Sequence, residues 1–487
     1  MSDTITKHPP PAFPGPRSRD VRDGPLPVLV VLVALLVLGL YASWWAVAVV
    51  VCIGIMIFLH ELGHYVTARW GGMKVTEFFL GFGPRLWSYR RGETTYGLKA
   101  IPFGAYVKII GMHNLEEVPA EDEPRTYRQA TYPRRLAVGV AGSTMHFLQA
   151  LVILLVIYMG FGVSDHHRFT VDEVVAGSAA EQAGLQAGDR PLAVDGTALT
   201  NWDDLATLLE SKGGQPVTLT YARGAETHTA EVVAGERLNK AGAAAIDGKG
   251  GLRARDRILA VDGQPVSGYS QFLTIAAIGG TYAIDVPRGQ SVCTIDVTVR
   301  ALPPAAVATT GFLGLSPTFA KSRLNPLSAT GRSFGDFGRV TGGAATGIAR
   351  FFTPSNVGGF VSDSFKASSD ETTCRVLTED DDNRIISIVG VGNLATEAGR
   401  NGVDDFLELF ALFNIFIGVF NLLPLLPFDG GHVVVATYER IRSRRGRRYF
   451  ADVTRMLPIT YAVTIVMVML GVLAIYRDIL QPPSLGG

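Results

Sequence analysis

Cysteine is scarce in this sequence, with three residues in 487, and no C-x-x-C pair occurs. Three cysteines are too few for a disulfide-stabilised scaffold, and the missing C-x-x-C pair gives no indication of a zinc site built on thiolates. Cys52 lies in an apolar segment. Cys293 and Cys374 could pair if both lie outside the cytoplasm, but nothing in the sequence requires that bond.

The formal net charge of the chain is zero. The 44 lysine and arginine residues balance 44 aspartate and glutamate residues, and charged residues make up 18% of the chain against 47% hydrophobic ones. A balanced charge with this apolar excess argues against a nucleic-acid-binding protein and favours a protein of the lipid bilayer. We therefore expect the bilayer, and no nucleic acid, among its partners.

The apolar residues are collected in long runs, and about 20 such residues can cross a bilayer as a helix. The predicted crossings lie at residues 26–43, 44–70, 134–161, 404–430 and 457–477, after a disordered cytoplasmic tail at residues 1–25. The helix at residues 26–43 is additional to the others, and its length leaves open whether it truly spans. Basic residues crowd the segments that follow residues 70 and 439, so these segments are expected in the cytoplasm.

One stretch, residues 58–65, places polar side chains at the end of an apolar run. His60 and His64 are four residues apart, so on a helix they share one face, with Glu61 beside them. Two imidazoles at this spacing can bind zinc, and the glutamate can take a proton from water. Ionisable groups are costly in hydrocarbon, which favours a chemical role. The alternative is a polar cluster that only packs two helices together, and that cluster needs no third ligand.

A third candidate ligand lies near the other end of the chain. Pro424 and Pro427 break an apolar helix there, and broken helices at membrane depth are tolerated where they line a cavity. Asp429 follows the break and precedes a run of arginines, so we expect it at the depth and on the side of the histidine pair. His432, beyond two glycines, is a weaker candidate for a fourth ligand.

Residues 73–112 consist of short alternating segments divided by glycine and proline, which predicts a small membrane-associated β-sheet. Its open edge, near Ala105, Tyr106 and Val107, could receive an extended peptide as an added strand. A structural hairpin without a ligand is an equal alternative.

An internal repeat follows. Residues 183–196 and 250–263 share a glycine turn, a short strand and an Asp-Gly turn, at an offset of about 67 residues. We predict two β-rich modules, at residues 170–236 and 237–303. The second departs from the pattern because it has Arg255 at the position where the first has Gly188. Residues 304–403 are predicted to form a linker with surface or re-entrant segments.

Taken together, these motifs resemble the site-2 protease family of intramembrane zinc metalloproteases, and in particular its bacterial members with PDZ domains. The family's H-E-x-x-H motif matches residues 60–64, and its N-x-x-P motif with a following proline and D-G matches residues 421–430. Ser143 and His146 stand where the family tends to have Pro and Asn, and we expect His146 to be a packing residue and not a ligand. The resemblance implies the following roles: zinc ligands His60, His64 and Asp429; general base Glu61; substrate-positioning residues Asn421, Ala105, Tyr106 and Val107.

The implied fold is a multi-pass α-helical membrane protein with a small membrane-associated β-sheet and two inserted extracytoplasmic PDZ-like β-rich modules. The implied place is the plasma membrane of a bacterial cell, with the active site towards the cytoplasm. The expected activity is hydrolysis of a peptide bond within a transmembrane substrate after extracytoplasmic trimming, with substrates of the anti-sigma factor type. The PDZ-like modules would bind peptides or merely exclude bulky substrates.

The competing class is a zinc-binding, peptide-binding membrane receptor without catalysis. Its metal site would be structural, and closed zinc sites use four protein ligands, whereas three are convincing in the sequence. A metal transporter would need acidic residues or histidines along several crossings, and the sequence has one such cluster.

Overall fold

The structure is a computed structural model that describes residues 26–112, 116–175, 177–247, 252, 256–277, 279–288, 291–366, 386–443, 449–451 and 456–480. The predicted tail at residues 1–25, Arg255, Cys374 and residues 444–448 lie outside these ranges. The chain divides into two compact units, residues 1–146 with 421–463 and residues 147–420 with 464–487.

The elements in chain order begin with α1 (Leu26–Tyr41), α2 (Trp44–Trp70), β1 (Val75–Arg91), β2 (Thr94–Ile109) and α3 (Tyr132–Val156, continued by a π-helical segment, Ile157–Phe161). The next are β3 (Val163–Val174), α4 (Ala179–Gln182), β4 (Arg190–Val194), β5 (Thr197–Ala198), α5 (Trp202–Leu209), β6 (Pro216–Arg223) and β7 (Glu226–Val233). After these come β8 (Gly235–Leu238), α6 (Lys240–Ile246), β9 (Ala260–Val261), β10 (Gln264–Pro265), α7 (Tyr269–Ala276), β11 (Gly280–Arg288) and β12 (Ser291–Val299). The last are α8 (Ala305–Ala308), β13 (Thr309–Phe312), β14 (Leu315–Ser322), α9 (Pro326–Phe351), α10 (Pro354–Lys366), α11 (Ile388–Asn401), α12 (Val403–Asn421), α13 (Asp429–Arg442) and α14 (Leu457–Leu480).

Among the described residues, three helices are long and apolar enough to cross a membrane: α2, α3 with its π-helical continuation, and α14. Their 27, 30 and 24 residues exceed the roughly 20 that the hydrocarbon core requires. The apolar α1 has 16 residues, or about 24 Å, so its crossing stays a prediction. α12 carries acidic residues in its first turn, and the crossing predicted at residues 404–430 likewise stays a prediction.

The sheet of the first unit is built from two long strands that each fold back on themselves. Residues 77–80 of β1 have neighbours on both sides, since Phe78 pairs with Tyr96 and also with Val107. The second half of β1 forms an antiparallel hairpin with residues 94–99. Gly81 and Gly83 have φ of +84° and +81°, which permits the sharp change of direction within β1. Residues 105–109, called here the edge strand, have no second strand partner in the described part of the chain.

In the second unit the internal repeat corresponds to two sheets of the same strand order. The first runs β5-β4-β6-β7 and the second β10-β9-β11-β12. Asp195 and Asp262 occupy equivalent tight turns, with φ of +50° and +48°, each followed by a glycine. Their carboxylates accept equivalent backbone hydrogen bonds of 2.8 Å, from Thr218 N–H and Ala283 N–H respectively. The shared Asp-Gly turn of the sequence therefore has a shared structural cause.

The two modules have separate hydrophobic cores, and the second module interrupts the sequence of the first. The second core is made of residues between Leu238 and Ala308. The first core is made of residues 171–234 together with Leu313. The second module is thus inserted in the sequence of the first. Cys293 is fully buried in the second core and is disulfide-bonded.

The segment predicted as a linker from residue 304 begins with the short helix α8 and continues with two strands. β13 pairs with β8, and β14 pairs along its length with β3, from Leu315 opposite Val174 to Ser322 opposite Val163. The reason for the difference is distance along the chain. β14 is a short strand whose partner lies about 140 residues earlier, so the local pattern does not reveal the pairing.

Six helices follow these strands in the described part of the chain. Within the segment predicted as a linker, α11 begins where Ser387 accepts a hydrogen bond from Gly390 N–H. Asp478 near the end of α14 accepts a 2.6 Å hydrogen bond from Ser387 N–H, and Asp478 is buried. An ionisable residue inside the protein is stable when it is hydrogen-bonded, and this one attaches the last helix to α11.

Candidate active site

The histidine pair lies on α2, one helical turn apart, as the spacing requires. The Nε2 atoms of His60 and His64 are 3.3 Å apart. α3 packs closely against this part of α2, because Gly63 has no side chain: a Cβ there would lie 2.7 Å from Met145 Cγ and 2.8 Å from the carbonyl oxygen of Ala141. Small residues at a helix contact allow two backbones to approach in this way.

The two imidazoles are held by the backbone of α3. His64 Nδ1 lies 2.9 Å from the carbonyl oxygen of Val138. With Nδ1–H as the donor to that carbonyl, the Nε2 lone pair of His64 is free for a metal. The ring of His60 rests on Gly142, where a Cβ would lie within 2.3–2.6 Å of three ring atoms.

Asp429 reaches the pair from the broken segment. α12 ends at Asn421 and α13 begins at Asp429. Oδ2 of Asp429 lies 3.5 Å from His60 Nε2 and 3.2 Å from His64 Nε2. Gly430 permits this placement, since a Cβ there would lie 2.3–2.5 Å from backbone atoms of residues 422–423.

These three atoms fit a zinc ion. Tetrahedral ligands at about 2.0–2.1 Å from zinc are separated from each other by about 3.3–3.4 Å, and the three observed separations are 3.2, 3.3 and 3.5 Å. Asp429 Oδ2 is buried without a hydrogen-bond partner. A buried carboxylate oxygen without a partner is costly, and a divalent cation between the three ligands would stabilise it.

The cluster has three members and not four. In the described part of the chain, no other histidine, cysteine, aspartate or glutamate joins the group of His60, His64 and Asp429. Three protein ligands with an open fourth position are typical of catalytic zinc sites, whereas structural sites are closed by a fourth ligand. His432, the weaker candidate, is not a member of this group.

Glu61 and the sheet lie next to the cluster. Glu61 directly follows His60 on α2, and Tyr65 of α2 and Val107 of the edge strand pack against one buried cluster that includes Ala68 and Val75. Tyr65 on α2 and Tyr96 on β2 have their hydroxyl groups 2.5 Å apart. The shared cluster brings the edge strand against the helix that carries the histidine pair, and a peptide strand could be added at its open side.

Comparison with known proteins decides the family. A model of peptidase family M50 matches residues 48–467. The chain belongs to peptidase family M50. The M50 peptidases are the site-2 protease family, so the resemblance read from the motifs is confirmed.

Full-length relatives agree with this assignment. The chain is 30% identical to the zinc metalloprotease Rip1 of Mycolicibacterium smegmatis over 462 residues, which cover 92% of this chain and 99% of that protein. It is 26% identical to the regulator of sigma-E protease RseP of Salmonella typhimurium over 470 residues, 89% of this chain and 98% of that protein. This M50 protein is a zinc metalloprotease and a membrane protein with β-rich regions.

The remaining candidate residues of the M50 protein have different surroundings. Asn421 is half-buried at the end of α12, and its side chain makes no hydrogen bond with the described residues. The side chain of Tyr106 is engaged within the sheet: its hydroxyl donates a 2.5 Å hydrogen bond to Glu77, and Lys99 donates to it at 2.8 Å. Burial and the neighbouring Glu77 carboxylate raise the pKa of Tyr106. Ala105 and Val107 offer backbone groups at the edge strand.

Three residues near the ligands were not identified from the sequence as parts of the site. Gly142 and Val138 act through backbone atoms, and the small-residue stretch at residues 141–143 is the one signal that could have indicated the first of them. His146 was expected to be a packing residue. Its ring is 2% exposed, and its centroid lies 5.0 Å from that of His60, so the packing is against a candidate ligand.

Proposed function

We propose that this M50 metalloprotease hydrolyses a peptide bond within a transmembrane segment of its substrate. The observation that carries the proposal is the triangle of His60, His64 and Asp429, with sides of 3.2–3.5 Å, because its two histidines lie on α2, a candidate membrane span. In this assignment the three residues hold the zinc ion. When bound, zinc would supply Lewis-acid chemistry, making water more acidic and polarising the scissile carbonyl.

Glu61 has the role of general base in this proposal. It directly follows a ligand on the same helix, and no basic side chain is paired with it among the described residues. It takes a proton from water and passes it to the leaving amine. The same residue thus serves in both halves of the reaction.

The edge strand has the role of substrate holder. A transmembrane helix satisfies its own backbone hydrogen bonds, so a segment must unwind before its carbonyl can be attacked, and unsatisfied groups in hydrocarbon are costly. Backbone groups of Ala105 and Val107 would pair with the unwound segment and offset that cost. Asn421, with its free amide, would orient the substrate backbone near the scissile bond.

The choice of substrate and the sidedness belong to the same proposal. The relative RseP is named a regulator of sigma-E, and we assign this chain substrates of the anti-sigma factor type in regulated intramembrane proteolysis. The PDZ-like modules would lie outside a bacterial plasma membrane and the metal site towards the cytoplasm, as the basic segments indicate. The modules would admit substrates that have already been trimmed.

The test uses purified protein with a transmembrane substrate. Glu61→Gln should lower the cleavage rate by at least about 100-fold, the usual contribution of a general base, while zinc content stays that of the wild type. Asp429→Ala should lose zinc. Cleavage at the wild-type rate by Glu61→Gln with zinc bound would remove Glu61 as the base, and full zinc occupancy in Asp429→Ala would remove the third ligand.

The receptor alternative predicts a different result. A zinc-binding membrane receptor would retain zinc in the wild type and cleave no substrate, whatever residue stands at position 61. The open fourth position of the three-ligand cluster favours the protease.

A further inference from the structure

A cavity separate from the metal site lies within the first unit, where the first turn of α3 meets the end of α13. Its volume is about 350 Å³, near the lower end of ligand-sized pockets. The residues that line it include three arginines, Arg128, Arg135 and Arg440, and one acidic residue, Glu439. α3 is one of the three candidate membrane spans, and its first turn carries Arg134 and Arg135, so we expect that turn at the boundary between lipid and water.

The single acidic residue of this cavity is neutralised within the protein. Glu439 is 3% exposed. Its carboxylate accepts a 2.6 Å hydrogen bond from Arg135 and a 2.7 Å hydrogen bond from Ala451 N–H. Glu439 therefore does not offer the cavity a free negative charge.

Arg128 is likewise occupied. It forms two hydrogen bonds to the carboxylate of Glu123, at 2.9 and 2.5 Å, and a third to the carbonyl of Glu116. These contacts and a hydrogen bond from Gln129 lower the pKa of Glu123 to about 2, so the pair stays ionised at neutral pH. Arg128 and Glu123 together contribute no net charge.

Several hydrogen-bond donors near the cavity have no acceptor among the described residues. Arg440 is exposed and forms no ion pair with the described residues. Nε of Arg135 is buried and has no hydrogen-bond partner. The backbone N–H groups of Tyr132 and Arg134, in the first turn of α3, also have no acceptor in the described part of the chain. Unsatisfied amides at a helix N-terminus together with arginine side chains form a site for a phosphate group.

We propose that this cavity binds the phosphate of an anionic phospholipid headgroup. The donors require an acceptor with several oxygen atoms and negative charge, and the phosphodiester of an anionic lipid provides both without the cationic choline that would meet the arginines in phosphatidylcholine. The position at the end of a membrane span supplies the lipid, whose acyl chains would stay in the bilayer beside α3. Free inorganic phosphate would accept hydrogen bonds from the same donors, so the experiment must distinguish a lipid headgroup from soluble phosphate.

The test measures lipid retention on the full-length, zinc-loaded protein in detergent by native mass spectrometry, with phosphatidylglycerol and phosphatidylcholine added in equal amounts. The wild type should retain phosphatidylglycerol preferentially. Arg440→Gln should weaken that preference by about tenfold, the loss expected for one charge-assisted hydrogen bond. Arg135→Lys should weaken it as well, because lysine keeps the charge beside Glu439 but lacks Nε.

Arg134→Gln is the matched control. Arg134 lies in the same turn of α3 and is exposed, but it bonds to the carbonyl of Gly71 and does not line the cavity. It should keep the preference of the wild type, and wild-type zinc content should show that all three variants are folded. Equal retention of both lipids by the wild type, or equal effects of Arg134→Gln and Arg440→Gln, would overturn the proposal. Displacement of the lipid by millimolar inorganic phosphate would overturn the lipid assignment and give the cavity to a soluble phosphate.

Discussion

At the metal site, a missing side chain matters as much as the ligands. The ring of His60 lies against Gly142, and a Cβ on that glycine would approach ring atoms to 2.3 Å. We expect Gly142→Ala to displace His60 from the triangle that it forms with His64 and Asp429. Zinc affinity should fall by about 10- to 100-fold, as it does when the support of a ligand is altered. Chelator competition on the purified protein measures this.

Gly54→Ala provides the control for this substitution. Gly54 lies on α2 as well, and a Cβ there would have no neighbour within 4 Å. It should leave zinc affinity unchanged. If Gly142→Ala binds zinc as tightly as Gly54→Ala does, the contact between His60 and α3 does not hold the ligand in place.

A second residue-scale prediction concerns pH and the first module. Arg223 donates hydrogen bonds of 2.8 and 2.7 Å to Asp189, and Gln186 N–H donates a third, which together hold the pKa of Asp189 below its usual range. The unfolded value is about 3.9. Since the folded pKa is the lower one, the stabilisation is present above about pH 4 and is lost as the pH falls through the folded pKa.

We therefore expect Asp189→Asn to reduce the hydrogen-exchange protection of residues 184–190 at pH 7 in the full-length protein. The difference from the wild type should shrink as the pH falls below about 4. Asp203→Asn, at a side chain that is 79% exposed, should change little at either pH. A difference for Asp189→Asn that persists unchanged at low pH would show that the ion pair is not its cause.

Which residues of the site could be predicted from the sequence follows from how each one acts. His60, His64 and Asp429 are ionisable groups in apolar stretches, and their cost in lipid makes them visible. Gly142 contributes by having no Cβ, and Val138 contributes its backbone carbonyl. Glycines and carbonyl groups occur throughout any sequence, so neither residue is conspicuous. Their role depends on how closely α3 packs against α2, and that is known only once the helices are placed.

Among the elements, the edge strand carries the most specific expectation. Residues 105–109 pair with β1 on one side and have no second strand partner in the described part of the chain, and we expect Val107 N–H to pair with a substrate strand there. Val107→Pro removes this donor. Cleavage of a transmembrane substrate should fall roughly fivefold or more, the loss for one backbone hydrogen bond, while the zinc content is kept. Initial cleavage rates and metal analysis measure the two effects.

Val107→Ala is the matched variant, because it shortens the same side chain but retains the N–H group. Its rate should lie much closer to that of the wild type. If both variants lose the same activity, the side chain, which packs against the buried cluster around Val75 and Ile109, is responsible and the backbone group is not.

The elements differ in how far the sequence reveals them. The short strands of residues 73–112 could be predicted because glycine and proline mark each end, and the structure has strands there. β13 and β14 could not, because their partners β8 and β3 are distant in sequence. α11 could not be predicted as a helix, because its first residues are an apolar run too short to show a helical period.

For the whole molecule, the insertion of one module into the other has a practical consequence. The chain passes from the first module into the second at Leu238 and back into the first at Thr309. These two residues are paired in the β8–β13 ladder. The two cores share no residue. Residues 239–308 can therefore be replaced by an Asn-Gly turn, which is suited to join two antiparallel strands directly.

We expect this shortened protein to keep its zinc and its ability to cleave a substrate that has already been trimmed. If the second module acts by exclusion, removing it should allow cleavage of an untrimmed substrate that the wild type leaves intact. A parallel deletion that also removes β13 and β14 should unfold the first module, because Leu313 belongs to its core. If the shortened protein still rejects the untrimmed substrate while cleaving the trimmed one at the wild-type rate, exclusion does not reside in the second module. Loss of cleavage of the trimmed substrate with zinc retained would instead indicate that the module binds the substrate.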